Sequence, residues 1–356
     1  MDFKLFVVSF LCAGAVLGTC AKEPSDGFEK KFVMEESTGT WCGYCPRGIA
    51  TIEYLKETYG DRFIAISLHG SGSIVDPMAM PDSEYLNYVS SGSFPGALLN
   101  RDALLDPYQA IEYFADRVDD RSDIKIDIDE VLYDEASGEV GVRCAITSCS
   151  VIKRQGVSIA IACVENDVQD DNPLYAQLTY FHKKYGLYTP KEVKAEYPEI
   201  YPYLEPYVTG EVEDRFAAGK YTFYVPASEM KHQEVARGIF PGIKGMDCTQ
   251  EYPVNQPQHF TVRFTMPTEV MTWQNTAMVA LLLKNSTGEI LNADIIDAEA
   301  YKMSGITDVL AEDDTDAPEE YYTLQGLRIE HPTNGIYIKK KGKKTVKEFF
   351  RTPISH

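Results

Sequence analysis

The stretch that decides the fold is Ser37–Gly48, STGTWCGYCPRG, in which Cys42 and Cys45 stand three positions apart behind a tryptophan. A thiol pair at this spacing can exchange with disulfides of other proteins, hold a metal, or form a structural disulfide. A zinc site needs four ligands, and the chain has no second C-x-x-C and no closely spaced histidine pair. Haem attachment needs a histidine after the second cysteine, and Pro46 stands there. The sequence therefore leaves a redox-active pair or a structural disulfide, without a metal.

The residues around this pair predict a strand that leads into a helix. Lys30–Ser37 (KKFVMEES) is typical of a strand, and Cys42–Tyr59 of a helix with one apolar stripe. Cys42 then lies at the helix N-terminus, where unpaired backbone N–H groups favour a thiolate. The helix dipole supplies roughly 0.3–1 kcal/mol, less than the roughly 1.4 kcal/mol of one pKa unit, so amide hydrogen bonds and the Cys45 thiol must add to it. We expect Cys42 to attack a substrate disulfide and Cys45 to resolve the mixed disulfide.

Further along the chain, strands and helices alternate. Phe63–Gly70 predicts a buried strand, 82–91 a helix, Gly96–Arg101 a strand, and Pro107–Val118 a helix that opens on proline. A β-α-β-α-β-α order of this kind predicts an α/β sheet domain covered by helices, and we assign it residues 30–121.

From Ser122 the apolar period changes to two, which predicts an antiparallel β-sandwich of immunoglobulin-like type over residues 122–304. A long insertion, 170–231, interrupts it and is rich in tyrosine and proline. Loops of this length are usually functional or separately packed, so the insertion is either a recognition surface or a self-packed excursion. An acidic linker, 305–320, and a small C-terminal β tail, 321–356, follow. The lysines of the tail fit a binding patch or a solvated strand edge.

The ends and the charge of the chain indicate an exported protein. The 356 residues carry a formal net charge of -20, which disfavours binding to nucleic acid or to anionic lipid. Residues 1–20 have a lysine, a short apolar run and a final Leu-Gly-Thr-Cys, which predicts a signal peptide with a lipidation site at Cys20. A short linker, 21–29, follows, and no later stretch reaches the roughly 18 consecutive apolar residues of a transmembrane helix.

Four cysteines remain outside the C-x-x-C pair, the signal peptide and the lipidation site: Cys144, Cys149, Cys163 and Cys248. An exported chain with an even number of cysteines is expected to form disulfides. Cys144 and Cys163 continue inward-facing alternations, so each fits a small buried apolar side chain or a sandwich disulfide. We expect at least one disulfide among the four, and the sequence leaves the pairing open.

Two motifs resemble the thioredoxin superfamily. Trp41-Cys42-Gly43-Tyr44-Cys45 is similar to its active-site motif, and Ser93-Phe94-Pro95-Gly96 is similar to the turn that carries its cis-proline. The resemblance implies a cis Phe94-Pro95 bond, a Phe94 backbone that pairs with a substrate strand, and a buried acid at Glu36 that takes the proton of Cys45. It also implies a substrate groove, formed by Trp41, Gly43, Tyr44 and Phe94. Gly-Tyr between the cysteines and Pro46 after them differ from thioredoxin itself, so the direction of electron flow is left open.

The wider layout resembles the outer-membrane-protein-twenty-eight-related family of bacterial lipoproteins. The resemblance is carried by EESTGTWCGYCPRG, SFPGALLNR and HQEVARGIFPG. It implies a cell-envelope location, at the outer membrane or the cell surface, and defines no reaction. The tail YTLQGLRIEHPTNGIYIKKKGKKTVK is similar to C-terminal segments of exported proteins, some of which are sorting signals for type IX secretion.

These features support two hypotheses about function. The first is an envelope thiol-disulfide oxidoreductase, tethered through Cys20, that acts on protein thiols or disulfides and needs no cofactor. Its catalytic residues are then Cys42, Cys45, Pro95 and Glu36. The second is a non-catalytic surface lipoprotein that binds a protein or glycan through the sandwich and the tyrosine-rich insertion.

Overall fold

The computed structural model describes residues 27–72, 74–150, 152–217, 220–303, 319–322, 328–329, 335–341 and 344–350. The predicted signal peptide with Cys20 lies outside these residues, as do most of the linker 21–29 and most of the acidic linker 305–320.

The N-terminal half alternates strands and helices in the order that the sequence predicts. Its elements are β1 (Phe32–Thr38), α1 (Pro46–Tyr59), β2 (Phe63–His69), α2 (Ser83–Ser90), β3 (Gly96–Leu99), β4 (Ala103–Leu105) and α3 (Ala110–Ala115). β1 lies between β2, which is parallel to it, and β3, which is antiparallel. Every residue of β1 and β2 is buried, as expected for strands covered by helices on both faces.

The helix after the cysteine pair begins later than the sequence predicts. It starts at Pro46 rather than at Cys42, with Cys45 as its N-cap and the preceding residues in a turn. Proline is favoured in the first helical turn because it has no N–H to leave unpaired and its φ is already helical. Cys42 therefore lies in the loop before the helix.

The chain then enters the β-rich half through three long strands, β5 (Ile124–Asp134), β6 (Glu139–Ser148) and β7 (Val157–Glu165). The insertion follows and forms elements of its own: β8 (Gln177–Leu178), α4 (Pro190–Glu196), α5 (Tyr201–Thr209), β9 (Glu213–Ala217) and β10 (Lys220–Val225). β10 lies between β8 and β9 in a small antiparallel sheet. The insertion is thus a folded unit of two helices and a sheet.

After the insertion the chain returns to the β-rich half as β11 (Val235–Phe240), β12 (Gln258–Thr265), β13 (Thr276–Lys284) and β14 (Ile290–Asp297). One sheet of the β-rich half contains β12, β6 and β5 in that order. The other has the order β14-β13-β7-β11, and β11 pairs in parallel with β2 of the N-terminal half. The sheet therefore runs without a break from β14 to β4, where the sequence predicts two separate domains in succession. The parallel pairing of β11 with β2 joins segments far apart in the chain, so no local sequence pattern predicts it.

An apolar core of the β-rich half contains residues from both of these sheets. Alternate residues of β5, β6, β7 and β13 fill it, among them Ile126, Val142, Ile161 and Leu282. Cys144, Cys163 and Cys248 are buried there and Cys149 is partly exposed, and all four carry free thiols, so the expected additional disulfide is absent among the described residues. Burial raises the pKa of the Cys163 thiol to about 12, which keeps it neutral and unreactive.

At the C-terminal end, four strands form a small sheet within the described residues: Glu319–Tyr322, Arg328–Ile329, Gly335–Lys341 and Lys344–Phe350. Shorter strands elsewhere are Phe28–Glu29, Arg121–Ser122, Ile152–Gln155, Met246–Asp247, Gln250–Tyr252 and Lys302–Met303. The 3-10 turns are Gly60–Arg62, Pro107–Gln109, Pro173–Tyr175, Lys183–Tyr185, Ala227–Glu229, Trp273–Asn275 and Ala298–Ala300. No helix in the described segments has the length and apolar character to cross a membrane.

Candidate thiol-disulfide site

Cys42 and Cys45 form a disulfide in the turn that opens α1, with their Cα atoms 5.4 Å apart. The turn is held by its own backbone, because the Cys42 N–H donates to Gly39 and the Cys45 N–H donates to the Cys42 carbonyl. Cys45 is fully buried and Cys42 is 5% exposed. If either sulfur meets a partner, it is that of Cys42.

The predicted prolyl turn contains the cis bond that the resemblance implies. The Phe94-Pro95 bond is cis, and β3 begins at the next residue and pairs with Ser37 at the end of β1. The Phe94 ring packs against Trp41 with their centroids 5.3 Å apart, and the Trp41 indole donates to the Gly70 carbonyl. No backbone hydrogen bond joins Phe94 to another described residue. The backbone that the resemblance assigns to a substrate strand therefore has no strand partner within the described residues.

Glu36 is fully buried on β1, against the first turn of α1. Its carboxylate lies against Gly48, where a Cβ would overlap Oε1, and the Gly48 N–H donates to the Cys45 carbonyl. Neither carboxylate oxygen has a hydrogen-bond partner in the described part of the chain. Burial raises the pKa of Glu36 well above its ordinary value, the charges of Glu234 and Asp106 raise it further, and Arg47 lowers it in part. The surroundings of Glu36 thus favour its protonated, neutral form.

A buried Asp76–His69 pair positions the loop before the cysteines. Asp76 Oδ2 accepts a hydrogen bond from the Thr40 N–H at 2.8 Å and lies 2.9 Å from Nδ1 of His69, while Oδ1 accepts from the Met78 N–H. Burial alone would raise the pKa of Asp76, but the His69 ring and the two amides lower it overall. The carboxylate therefore stays ionised and fixes Thr40, two residues before Cys42.

The insertion covers the other side of this loop. The Leu178 N–H donates to the Thr40 carbonyl and the Tyr180 N–H donates to the Gly43 carbonyl, each at 2.8 Å. The buried side-chain amide of Gln177 donates to the carbonyls of Gly39 and Cys42 as well as to that of Leu178. An extended segment of the insertion thus pairs with the backbone that carries the disulfide.

Aromatic packing reinforces this contact. The Tyr180 ring lies on Gly43 so closely that a Cβ there would overlap it, and Tyr44 packs edge-on against Tyr180 and Phe181. The insertion also shares an apolar cluster with α1, in which Ala50 meets residues of α4 and α5. Gly43 and Tyr44, predicted as groove residues, therefore contact the insertion, whereas Trp41 and Phe94 contact each other.

Sequence reasoning missed three functional candidates: Gln177, Glu234 and the Asp76–His69 pair. Gln177 and Glu234 lie more than one hundred residues beyond the cysteines, in segments that show only strand or loop character. A histidine at the end of a buried strand, His69, was the one local signal available. Among the described residues, no group of three or more histidine, cysteine, aspartate or glutamate side chains is arranged to hold a metal ion.

Comparison with known proteins finds no matching protein family and no matching curated protein. Among solved structures, the chain is similar to HBP35 of Porphyromonas gingivalis, with a TM-score of 0.51 and 14% identity over 91% of this chain and 98% of that one. It also aligns with a domain of the outer membrane lipoprotein Omp28 from Porphyromonas gingivalis, with a TM-score of 0.25 and 10% identity over 52% of this chain and 92% of that one. The likeness to HBP35 shows that the two chains share a fold over nearly their whole length, and at this identity it assigns no activity.

Proposed function

We propose that this chain carries out thiol-disulfide exchange in the cell envelope through Cys42 and Cys45. The observation that carries the proposal is Glu36, a buried carboxyl without a hydrogen-bond partner among the described residues, set against the helix that follows the disulfide. A structural disulfide has no need of such an acid, and burying one costs stability. Perturbed acids of this kind cluster at sites that move protons.

The residues supply the parts that the reaction needs. In the reduced chain the Cys42 thiolate attacks a substrate disulfide, and the electron pair of the broken bond leaves with one substrate sulfur. Cys45 then attacks Cys42, releases the second substrate sulfur and gives its proton to the Glu36 carboxylate. The Phe94 backbone would pair with the substrate peptide next to Cys42. The chain ends as the disulfide, and the substrate gains two thiols.

The setting of this reaction follows from the sequence. A signal peptide and a lipid on Cys20 would tether the chain at the outer membrane or the cell surface, where the substrates would be protein thiols or disulfides. Mass spectrometry of the mature N-terminus tests the tether. An acylated Cys20 supports it, and a free terminus beyond residue 20 contradicts it.

The shielding of the disulfide favours a second candidate function. Cys42 is only 5% exposed and the insertion lies across its loop. This geometry also suits a non-catalytic surface protein in which the disulfide holds the insertion in place while the insertion and sandwich bind a protein or glycan.

Trapping separates the two functions. The Cys45→Ser variant, reduced and mixed with a disulfide-bonded peptide, is expected to accumulate a mixed disulfide at Cys42, because the resolving thiol is gone. The Cys42→Ser variant is the matched control and is expected to trap nothing at the C-x-x-C pair; peptide mapping distinguishes any adduct at the partly exposed Cys149 thiol. If Cys45→Ser traps no peptide although its Cys42 thiol is free, the exchange function fails and the binding function remains.

A further inference from the structure

We propose that Glu234, which the β-rich half supplies, belongs to the thiol-disulfide site and passes the proton of Glu36 to solvent through water in a cavity between them. The inference rests on the proposed function, because it concerns the proton that Cys45 gives up. It extends that function by making the second half of the chain part of the reaction.

The cavity has a volume of about 30 Å³ and lies between β1, α1, β2 and the segment that leads into β11. Its lining includes Glu36, Thr38, Ser67, His69 and Glu234. One water molecule needs roughly 10–15 Å³ of such space and two to four polar partners, so the cavity has room for one or two. The two carboxylate oxygens of Glu36 and Oγ1 of Thr38 are buried without partners in the described structure. These three atoms are the partners that such water requires.

Glu234 is fixed at the outer end of this cavity. Its φ of 52° is in the left-handed region that non-glycine residues seldom adopt, and the surrounding contacts hold it there. The Glu234 carbonyl accepts a hydrogen bond from the Ser67 N–H at 2.8 Å, and its N–H donates to Oδ1 of Asn166 at 2.9 Å. Its carboxylate accepts a hydrogen bond from Nζ of Lys56 at 2.7 Å, and the Lys56 side chain is partly exposed to solvent. The pair therefore connects the cavity with the surface.

Several charged groups face Glu36, and they differ in what they can do. Asp106 is paired with Arg47. Glu53 also lines the cavity and is ion-paired with Lys56 at 3.3 Å, but its charge is not among those that shift the pKa of Glu36. Lys231 lines the cavity too and is paired with Asp167. His232 lines the cavity, but burial first and His69 second lower its pKa to about 4, so it is neutral at pH 7. His69 is held by Asp76. Glu234 alone among these combines a place on the cavity, a like charge that raises the pKa of Glu36, and a partly exposed partner.

The proton balance is simple. Cys45 loses its proton to Glu36 as the Cys42–Cys45 bond forms, so Glu36 becomes neutral. The proton then moves through cavity water to the Glu234 carboxylate and from there to bulk water beside Lys56. Glu36 is ionised again for the next cycle, and no oxidant beyond the substrate disulfide is consumed.

The test is a titration of Glu36 in the oxidised full-length chain, followed by carbon NMR of labelled glutamate carboxyl groups. Glu36→Gln identifies the signal. In Glu234→Gln the midpoint of Glu36 is expected to fall, because a repelling charge is removed. In Thr38→Val, which is almost the same size, it is expected to rise, because the water loses a partner. Glu84→Gln, an exposed change of the same charge on α2, is expected to leave it unchanged.

The kinetic consequence is measured on the same variants. In repeated turnover with a chemical reductant present, Glu234→Gln is expected to be slower than wild type by about twofold or more, because the proton on Glu36 loses the carboxylate that carries it to solvent. A turnover rate that is unchanged or faster in Glu234→Gln overturns the relay. A Glu36 midpoint that stays at the wild-type value in Glu234→Gln or in Thr38→Val overturns the inference, whatever the chain does with substrates. If no variant resolves a mixed disulfide while the titration behaves as expected, the proposed function fails instead.

Discussion

Replacing Gln177 with leucine is expected to expose the disulfide. The Gln177 amide donates to the carbonyls of Gly39 and Cys42 at 3.3 and 3.0 Å. Both carbonyls also accept a backbone N–H of the turn, so neither is left unpaired. The change removes two hydrogen bonds between the insertion and the loop, worth roughly 0.5–1.5 kcal/mol each, and a third within the insertion. It also removes Oε1 of Gln177, a buried oxygen without a hydrogen-bond partner in the described structure. Because burying that atom is unfavourable, its removal offsets part of the lost binding free energy. We therefore expect the insertion to dock on the loop less tightly by about 1–2 kcal/mol.

This loss translates into a rate. If reductant reaches the disulfide only when the insertion lifts from the loop, each 1.4 kcal/mol raises the open population about tenfold. Gln177→Leu is then expected to be reduced by a small phosphine under native conditions about tenfold faster than wild type. Alkylation of the new thiols followed by mass spectrometry gives the rate, and denaturant unfolding gives the stability.

Gln169 provides the matched control. Its side-chain amide also donates to two carbonyls of the chain, those of Ala227 and Ser228, and makes no hydrogen bond to the cysteine loop. Gln169→Leu is expected to lose comparable stability while its disulfide keeps the wild-type reduction rate. Equal acceleration in both variants, or a Gln177→Leu chain that is destabilised but reduced at the wild-type rate, would refute the view that the insertion gates the disulfide.

Three further predictions concern the buried charges. Glu36→Gln is expected to stabilise the fold by about 1–3 kcal/mol at neutral pH and to have little effect near pH 4. The reason is that the pKa of Glu36 is raised in the folded state, so the free-energy cost of its charge appears only as the pH rises above the ordinary glutamate pKa. Thermal unfolding across this pH range checks it, and a gain that is equal at both ends would contradict it. Gly48→Ala is expected to destabilise wild type, because the new Cβ overlaps Oε1 of Glu36. In a Glu36→Ala chain the same change is expected to stabilise the fold by about 0.5–1 kcal/mol, because the overlap is gone and alanine is the better helix former. Destabilisation in both backgrounds would speak against that contact. Arg101→Met is expected to lower the free energy of unfolding in urea by about 3–5 kcal/mol, because the buried Glu35 carboxylate then keeps only the Tyr85 hydroxyl as a partner. The double variant Glu35→Leu with Arg101→Met is expected to recover much of this stability. No recovery would mean that the loss comes from packing.

The site divides into parts that the sequence reveals and parts that it does not. The pairing of Cys42 with Cys45 and the cis Phe94-Pro95 bond were predictable from two short motifs, and the burial of Glu36 from the resemblance that those motifs carry. The start of α1 was misplaced by four residues, although Pro46 was a direct signal for a first helical turn. Gln177 and Glu234 could not be placed, because their roles depend on contacts between segments more than one hundred residues apart in the chain.

The same limit applies to the fold. The alternation of Ile124, Ile126 and Ile128 predicted the strand β5 and the change to a β-rich half, because a strand is recognisable from its local period of two. No local period predicted where the insertion packs. Its apolar residues contact α1 at Ala50, and nothing in the sequence marks that face of α1 as a contact surface. Cys144 and Cys163 are buried as free thiols, which agrees with the interpretation as small apolar side chains. The expected disulfide was wrong because a cysteine packs in a core as a free thiol, so an inward-facing position does not imply a bond.

The most direct test of the central claim is the stoichiometry of exchange by the full-length chain. The wild-type chain, reduced and freed of reductant, is mixed with a disulfide-bonded peptide, and the thiols released are counted together with the state of Cys42 and Cys45. We predict one peptide disulfide reduced for each chain reoxidised between these two cysteines, and none by Cys42→Ser. A fully reduced wild-type chain that leaves the peptide disulfide intact would contradict the claim.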